Sequence, residues 1–195
     1  MPVNTDTGPR ERLLGAAEQL LLTAEYDQVS VRAICAEAGA NPAAVHYHFG
    51  TKTALVTALL EDRLAPSWAS TLDHLADADS TVASYVDAII EPFADLAAEP
   101  SGRLYLRLLS RVVLGRLRVQ WSSRWFRLDS WADVLREECP GLTEQEAQRR
   151  WALAFELVLQ QFGDPTADRA PTPAAVRTLR AFVLAGLTTA SEDTP

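Results

Sequence analysis

Residues 31–55, VRAICAEAGANPAAVHYHFGTKTAL, are typical of two short helices joined by a tight turn. Ser30 suits the N-cap of the first helix, and Gly39 suits the left-handed backbone that often follows a helix end. Asn41 and Pro42 form a second start signal, since a cap residue precedes proline at the first helical position. Two short helices joined by a glycine-containing turn predict a helix-turn-helix motif.

The end of the second helix concentrates rings and positive charge. Residues 46–49 read HYHF, and Lys52, the single lysine of the chain, follows three positions later. The second helix of such a motif enters the DNA major groove with its N-terminal residues against the bases. The imidazoles, the Tyr47 hydroxyl and the Lys52 ammonium are therefore expected to bind phosphates, beside the N-terminus of the next helix. Phe49 is expected to pack inward.

The N-terminal residues of the second helix are small and largely apolar. Such a surface fits closely against thymine methyl groups but offers few hydrogen bonds to base edges. Arg32 is the candidate for a guanine contact, with a phosphate contact as the alternative. The predicted DNA-binding residues are Ser30, Arg32, Asn41, Pro42, Ala43, Ala44, His46, Tyr47, His48 and Lys52.

Composition limits the class of protein. The chain has 195 residues, 48% of them hydrophobic, enough to bury a core. No apolar run approaches the roughly 20 residues that span a bilayer, and the N-terminus lacks the apolar stretch of a signal peptide. Cys35 and Cys139 show no metal-ligand spacing, which favours a reduced, cytoplasmic protein.

The sequence contains no motif that indicates an enzymatic reaction or a metal site. The sequence contains no HExxH, no GxSxG and no phosphate-binding glycine loop. His46, His48 and Cys35 make a poor metal set, because Cys35 falls on the inward face of its helix. We therefore expect no catalytic residue, no metal site and no cofactor.

The stretch that follows the turn resembles the DNA-binding domain of the TetR family of transcriptional repressors. That family has a pattern like L-Y-x-H-F-x-x-K-x-x-L, and this chain reads V-H-Y-H-F-G-T-K-T-A-L, matching at His48, Phe49, Lys52 and Leu55. His46 occupies the usual tyrosine position, which moves the tyrosine to the next residue. The resemblance covers about residues 10–63. It implies a homodimeric repressor that binds a palindromic operator and is released by a small molecule.

Helical periodicity continues through the rest of the chain and predicts an all-α fold. We expect a three-helix helix-turn-helix domain over residues 1–63 and a helical ligand-binding and dimerisation domain over residues 64–195. The helix that begins after Thr51 is expected to end before Pro66. Helices over 143–162 and 173–188 carry apolar faces that suit a four-helix bundle across a two-fold axis. Alternatively, these faces only close the core of one subunit.

The middle helices are rich in aromatic residues, five tryptophans being present in the chain. By resemblance to the family, these helices would enclose an effector, and aromatic walls suit a flat or apolar one. Aromatic residues at helical spacing also suit a plain core. The predicted ligand contacts are Trp68, Phe93, Tyr105, Arg107, Leu109, Trp121, Trp125 and Phe126.

The charge distribution leaves two questions open, namely whether residues 1–63 bind DNA and what the charged blocks of residues 64–127 bind. Residues 1–63 carry five basic and eight acidic residues, so DNA binding requires the acids to face away from the recognition helix. The alternative function is an all-helical ligand-binding or interaction module with little or no DNA binding. Residues 64–102 hold seven acids and no base, whereas residues 103–127 hold seven arginines and no acid. These blocks predict pairing between neighbouring helices, with an anion site as the alternative.

Overall fold

The computed structural model describes residues 8–78, 80–164 and 169–189. These ranges contain nine α-helices and no strand, which confirms the predicted all-α fold. The helices are α1 Pro9–Thr23, α2 Val31–Glu37, α3 Ala44–Phe49, α4 Lys52–Asp77, α5 Val82–Ala98, α6 Pro100–Leu114, α7 Leu128–Glu138, α8 Glu144–Phe162 and α9 Pro173–Thr188. Two 3₁₀ turns, Tyr26–Gln28 and Arg124–Phe126, precede α2 and α7. No helix in these ranges is long and apolar enough to cross a membrane.

The helix-turn-helix forms where the local signals predict it. The Ser30 hydroxyl accepts a hydrogen bond from the Ala33 N–H at 3.1 Å, which caps α2. Gly39 has φ of 59°, a left-handed backbone that glycine adopts without a Cβ clash. Ile34 and Val45 are almost fully buried, so the apolar face of each helix turns inward.

The recognition helix starts later than predicted. The Asn41 carboxamide oxygen accepts from the Ala43 N–H at 2.9 Å, and the Asn41 carbonyl accepts from the Ala44 N–H at 2.8 Å. These bonds close a turn, so α3 begins at Ala44 and not at Pro42. Pro42 and Ala43 consequently lie in the turn that leads into the helix.

The predicted end of α4 before Pro66 is wrong. The helix begins as predicted, with Thr51 accepting from the Ala54 N–H at 3.0 Å, but it continues through Pro66 to Asp77. Proline costs a helix one backbone hydrogen bond. Burial of apolar side chains on both sides of it, Leu64 and Leu72, offsets that cost. The predicted domain boundary after residue 63 therefore falls inside one helix.

The remaining helices pack around a continuous apolar core. α8 packs on α6, α7 and α9, and its Trp151 is completely buried. The Thr143 and Thr172 hydroxyls accept from the Glu146 N–H and the Ala175 N–H, respectively, and so cap α8 and α9. Residues 115–127, which include Trp121, form the α6–α7 loop, and α7 begins at Leu128.

The two charge blocks pair less than predicted. Arg124 lies 3.8 Å from Asp73, an ion pair between the blocks. Arg111 instead pairs with Asp27, Arg116 lies 4.0 Å from Glu156, and Arg127 pairs with Asp129. The reason is that α6 packs against α1 and α8 as well as α5, so its arginines meet acids from several elements.

Candidate nucleic-acid interface and aromatic cavity

The C-terminal half of α3 presents an exposed polar edge. Tyr47 is 84% exposed, and His46 and His48 are also exposed, while Val45 points into the core. The Tyr47 and His48 rings lie edge to face with centroids 5.0 Å apart. His46 Nδ1 lies 3.0 Å from the Gly50 carbonyl oxygen, which orients its ring along the end of the helix. An exposed hydroxyl and two imidazoles on one helix can donate to successive phosphates.

The other predicted DNA contacts lie beside that edge. Ser30, Arg32, Asn41, Pro42 and Ala43 are exposed, and Ala44 is half-buried. Phe49 is half-buried against the core, and the Arg10 guanidinium lies 5.6 Å from its ring centroid. The structure thus brings the predicted contacts onto α2, α3 and the turn between them.

Lys52 is the exception, because it is half-buried and folded back onto Tyr26. Its ammonium donates to the Tyr26 carbonyl and lies 3.9 Å from the centroid of the Tyr26 ring. Burial lowers the pKa of Lys52, Asp27 opposes that shift, and Arg111 adds to it. Arg111 also lies 4.3 Å from the same ring centroid. Tyr26 therefore stands between two cations, a role that its sequence context does not indicate.

Acids of α1 and α4 are paired within the protein. Arg63 binds Glu11 at 2.9 Å and Glu18 at 3.0 Å, and the Tyr105 hydroxyl also donates to Glu18. Burial, followed by the bond to Glu18, raises the pKa of Tyr105. Glu61 accepts from the Ser122 N–H at 2.6 Å. These carboxylates join α1 and α4 to α6 and to the α6–α7 loop.

An aromatic cavity of about 420 Å³ lies between α4, α5, α6, α8 and the α6–α7 loop. Trp68 stacks on Phe93 with centroids 5.1 Å apart and planes 14° apart, and Trp121 lies 4.8 Å from Phe126. Six predicted ligand residues line this cavity, namely Trp68, Phe93, Leu109, Trp121, Trp125 and Phe126. Stacked and tilted rings form walls that suit a planar apolar molecule.

Two predicted ligand residues lie elsewhere. Tyr105 is directed at Glu18, and Arg107 lines a different groove beside α1. Trp131 and Phe155, which are not among the predicted ligand contacts, complete the cavity wall from α7 and α8. The helical spacing of Phe155 from Trp151 placed it on the core face, and this spacing does not distinguish a core from a cavity wall.

The wall of the cavity is tied to α4. The Trp125 Nε1–H donates to Asp73 at 2.7 Å, and the Ser123 N–H donates to Glu61 at 2.7 Å. Both acids lie on the helix that begins at Lys52, beside α3. The α6–α7 loop and the polar edge of α3 are therefore connected through one continuous helix.

Helices α8 and α9 carry exposed apolar side chains. Leu153 is 66% exposed and Phe182 is 68% exposed, and both are large. Small residues surround Phe182 on α9, including Ala174, Thr178, Ala181 and Ala185. Such a face is unusual on a lone subunit and is typical of an interface between protein chains.

Helices α2 and α3 and the turn between them form a helix-turn-helix with an exposed second helix. Residues 13–59 match the family described as "Bacterial regulatory proteins, tetR family". Comparison with curated proteins gives no match. Residues 13–59 are therefore similar to the N-terminal domain of that family.

Solved structures agree with this fold. A TetR-family regulator from Streptomyces coelicolor has a TM-score of 0.62 at 18% identity, covering 92% of this chain and 98% of its own. NalD, the secondary repressor of the MexAB-OprM multidrug efflux pump in Pseudomonas aeruginosa, has a TM-score of 0.57 at 24% identity, covering 91% and 94%. A putative transcriptional regulator from Rhodococcus sp. RHA1 has a TM-score of 0.51 at 22% identity, covering 94% and 97%.

Proposed function

We propose that the chain is a cytoplasmic repressor that binds a palindromic operator as a homodimer and releases it when a small molecule binds. The observation that carries the DNA-binding role is the segregation of charge within residues 8–63. The acids of α1 and α4 bind partners at the junction with α6, while His46, Tyr47 and His48 stay exposed on α3. An acidic chain can bind DNA when its local surface, and not its net charge, meets the phosphates.

We assign two kinds of DNA contact to this edge. Tyr47, His46, His48 and Lys52 bind phosphates and set the position of α3 in the groove. For Lys52, the ammonium has three donors, so the bond to Tyr26 leaves two for a phosphate. Arg32 and the small residues 41–44 face the bases, and Ser30 lies beside them at the N-cap of α2.

The proposed division of labour follows the predicted domains. Residues 1–63 bind DNA, and residues 64–195 bind the effector and form the dimer. Leu153 of α8 and Phe182 of α9 lie at the proposed dimer interface, where two copies would form a four-helix bundle. Two-fold symmetry then requires two operator half-sites about 34 Å apart or a multiple of that distance.

The aromatic cavity is the proposed effector site. A planar apolar molecule against Trp68 and Phe126 would press on the α6–α7 loop, which Asp73 and Glu61 connect to α4. Because Lys52 begins the same helix, a shift of α4 changes the position of the phosphate contacts. NalD has this fold and is a repressor, which supports repression as the direction of regulation. It does not indicate which effector binds.

The test is selection of operators from random DNA duplexes, followed by binding measurements on variants. Tyr47→Ala should weaken binding to every selected sequence by a similar factor, because phosphates carry no sequence information. Arg32→Ala should weaken binding mainly at one base position. Sequence-dependent loss with Tyr47→Ala would contradict the phosphate role.

A helical ligand-binding module with little DNA binding is the second candidate. The net charge of −3 over residues 1–63 and the small apolar start of α3 favour it. Failure to select any palindrome at low salt, by a chain that still binds apolar ligands, would support this second function over the first.

A further inference from the structure

A junction groove separates the N-terminal helices from α6. This groove, of about 620 Å³, lies between the end of α1, the Tyr26–Gln28 turn, α6 and the C-terminal end of α8. Leu21, Leu108 and Leu159 form part of its apolar wall, and Arg107 and Arg111 form part of its polar wall. Among the lining residues described, Leu159 is the one that this groove shares with the aromatic cavity. The groove and the cavity are therefore separate spaces.

Arginines line one face of α6 at intervals of four residues, which places them one helical turn apart. Arg103 donates to the Ala97 carbonyl at 3.2 Å, and Arg111 donates to Asp27 at 2.7 Å. Arg107, between them, is half-buried and forms no hydrogen bond or ion pair with any residue the structure describes. An arginine keeps its charge and five N–H donors, so a half-buried, unpaired one favours an anionic ligand.

A smaller hollow of about 220 Å³ adjoins the junction groove and has Arg107 and Asp164 in common with it. Arg103 and Arg169 also line this hollow, so among the residues described three guanidinium groups and one carboxylate line it. In the larger groove the lining acids described are Glu25, whose carboxylate accepts from the Gln28 N–H at the 3₁₀ turn, and Asp164, which both spaces share. Positive charge therefore predominates on the Arg107 side, and apolar surface predominates along the groove.

We propose that the junction groove is a second ligand site, specific for a medium-chain alkyl carboxylate. The carboxylate accepts hydrogen bonds from Arg107 at the smaller hollow, and the alkyl chain lies against Leu21, Leu108 and Leu159. Such a ligand contacts α1 and α6 together, so it stabilises one arrangement of the N-terminal helices against the rest. The site goes beyond the proposed effector cavity, and its test requires no DNA.

The test is calorimetric titration of the full chain with octanoate and, separately, with octanol. Arg107→Gln should weaken octanoate binding about tenfold or more, through loss of a charge-assisted bond, and change octanol binding less than about twofold. Arg118→Gln is the matched control, because Arg118 is exposed and lies on the α6–α7 loop, outside the groove. Its octanoate affinity should equal that of the unmodified chain.

A second pair of variants separates the two spaces. Ala24→Phe fills the apolar groove and should weaken both octanoate and octanol, whereas Phe126→Ala in the aromatic cavity should leave octanoate binding intact. Circular dichroism confirms that each variant is folded. Absence of saturable octanoate binding, equal affinity in Arg107→Gln, equal loss in Arg118→Gln or loss in Phe126→Ala alone would each overturn the proposal.

Discussion

Charged and polar groups are paired within the protein at the junction face of α1 and α4, whereas they are exposed at the polar edge of α3. At the junction, Arg63 binds two carboxylates within 3.0 Å, and Tyr26 lies between two cations. At the edge of α3, Tyr47 is 84% exposed and has no partner other than a neighbouring ring among the residues described. Local placement, and not composition, therefore decides which polar groups of this acidic domain can contact a ligand. Groups satisfied inside the protein contribute stability, and exposed ones remain available to a ligand.

Arg63→Ala should have the largest effect on stability. It leaves Glu11 and Glu18 without their cation, and Glu18 has a side chain only 14% exposed. We expect a loss of about 2–3 kcal/mol in the free energy of unfolding, measured by urea denaturation. Arg32→Ala is the matched control, because Arg32 is exposed, and it should change stability by less than about 0.5 kcal/mol. Equal losses in the two variants would remove the distinction between junction and edge.

The two tyrosines give the next comparison. Tyr26→Ala removes the ring between Lys52 and Arg111 and the contact of its hydroxyl with Thr53 at 3.2 Å. We expect a loss of about 1–2 kcal/mol in the free energy of unfolding. Tyr47→Ala should leave unfolding nearly unchanged and weaken operator binding instead. A Tyr47→Ala variant that unfolds as readily as Tyr26→Ala would show that the α3 edge is structural.

Two helix ends with the same backbone conformation predict changes of opposite sign. Gly39 has φ of 59° and Arg116 has φ of 49°, so each is left-handed. Gly39→Ala should destabilise the chain by about 1 kcal/mol, although a Cβ there meets no neighbouring atom. Arg116→Gly should stabilise it by up to about 1 kcal/mol, since Arg116 ends α6 without the usual glycine. Thermal unfolding of both variants measures these changes, and shifts of the same sign would contradict the strain argument.

The smallest predicted effect is the contribution of Lys52 to the pH dependence of stability. The direction of that dependence is what the measurement tests. Burial lowers the pKa of Lys52 below its ordinary value of 10.5. Between the lowered and the ordinary pKa, the unfolded chain binds more protons than the folded chain, so stability rises with pH there. The free energy of unfolding, relative to Lys52→Gln, should therefore increase as the pH approaches 10.5. A relative decrease would mean that the Tyr26 contacts outweigh the cost of burial.

Local signals predicted the helix-turn-helix well, because its contacts are close in sequence. Ser30, Gly39 and Thr51 each act on neighbouring backbone atoms, and all three do what their residue types indicate. Asn41 and Pro42 were misread because the same pair suits a turn and a helix start. These errors are confined to one or two residues and leave the motif intact.

Long-range packing was harder to predict. Pro66 is a helix breaker by its chemistry, yet buried residues on both sides keep α4 continuous. On α6, Leu109 and Arg107 are two positions and about 200° apart, so they face different spaces. Composition placed them in one site, whereas the helix directs Leu109 to the aromatic cavity and Arg107 to the junction groove. The Lys52 ammonium donates to the carbonyl of Tyr26, a partner 26 positions away that no local pattern indicates.

The salt dependence of operator binding tests the central claim most directly. Lys52 provides the one full charge per subunit that the account assigns to a phosphate, so the dimer should show a slope of log affinity against log salt near about −1.8. Lys52→Gln should remove most of that slope, while Arg118→Gln leaves it unchanged. A slope near zero, or one unaffected by Lys52→Gln, would contradict the assignment of this edge to the phosphates.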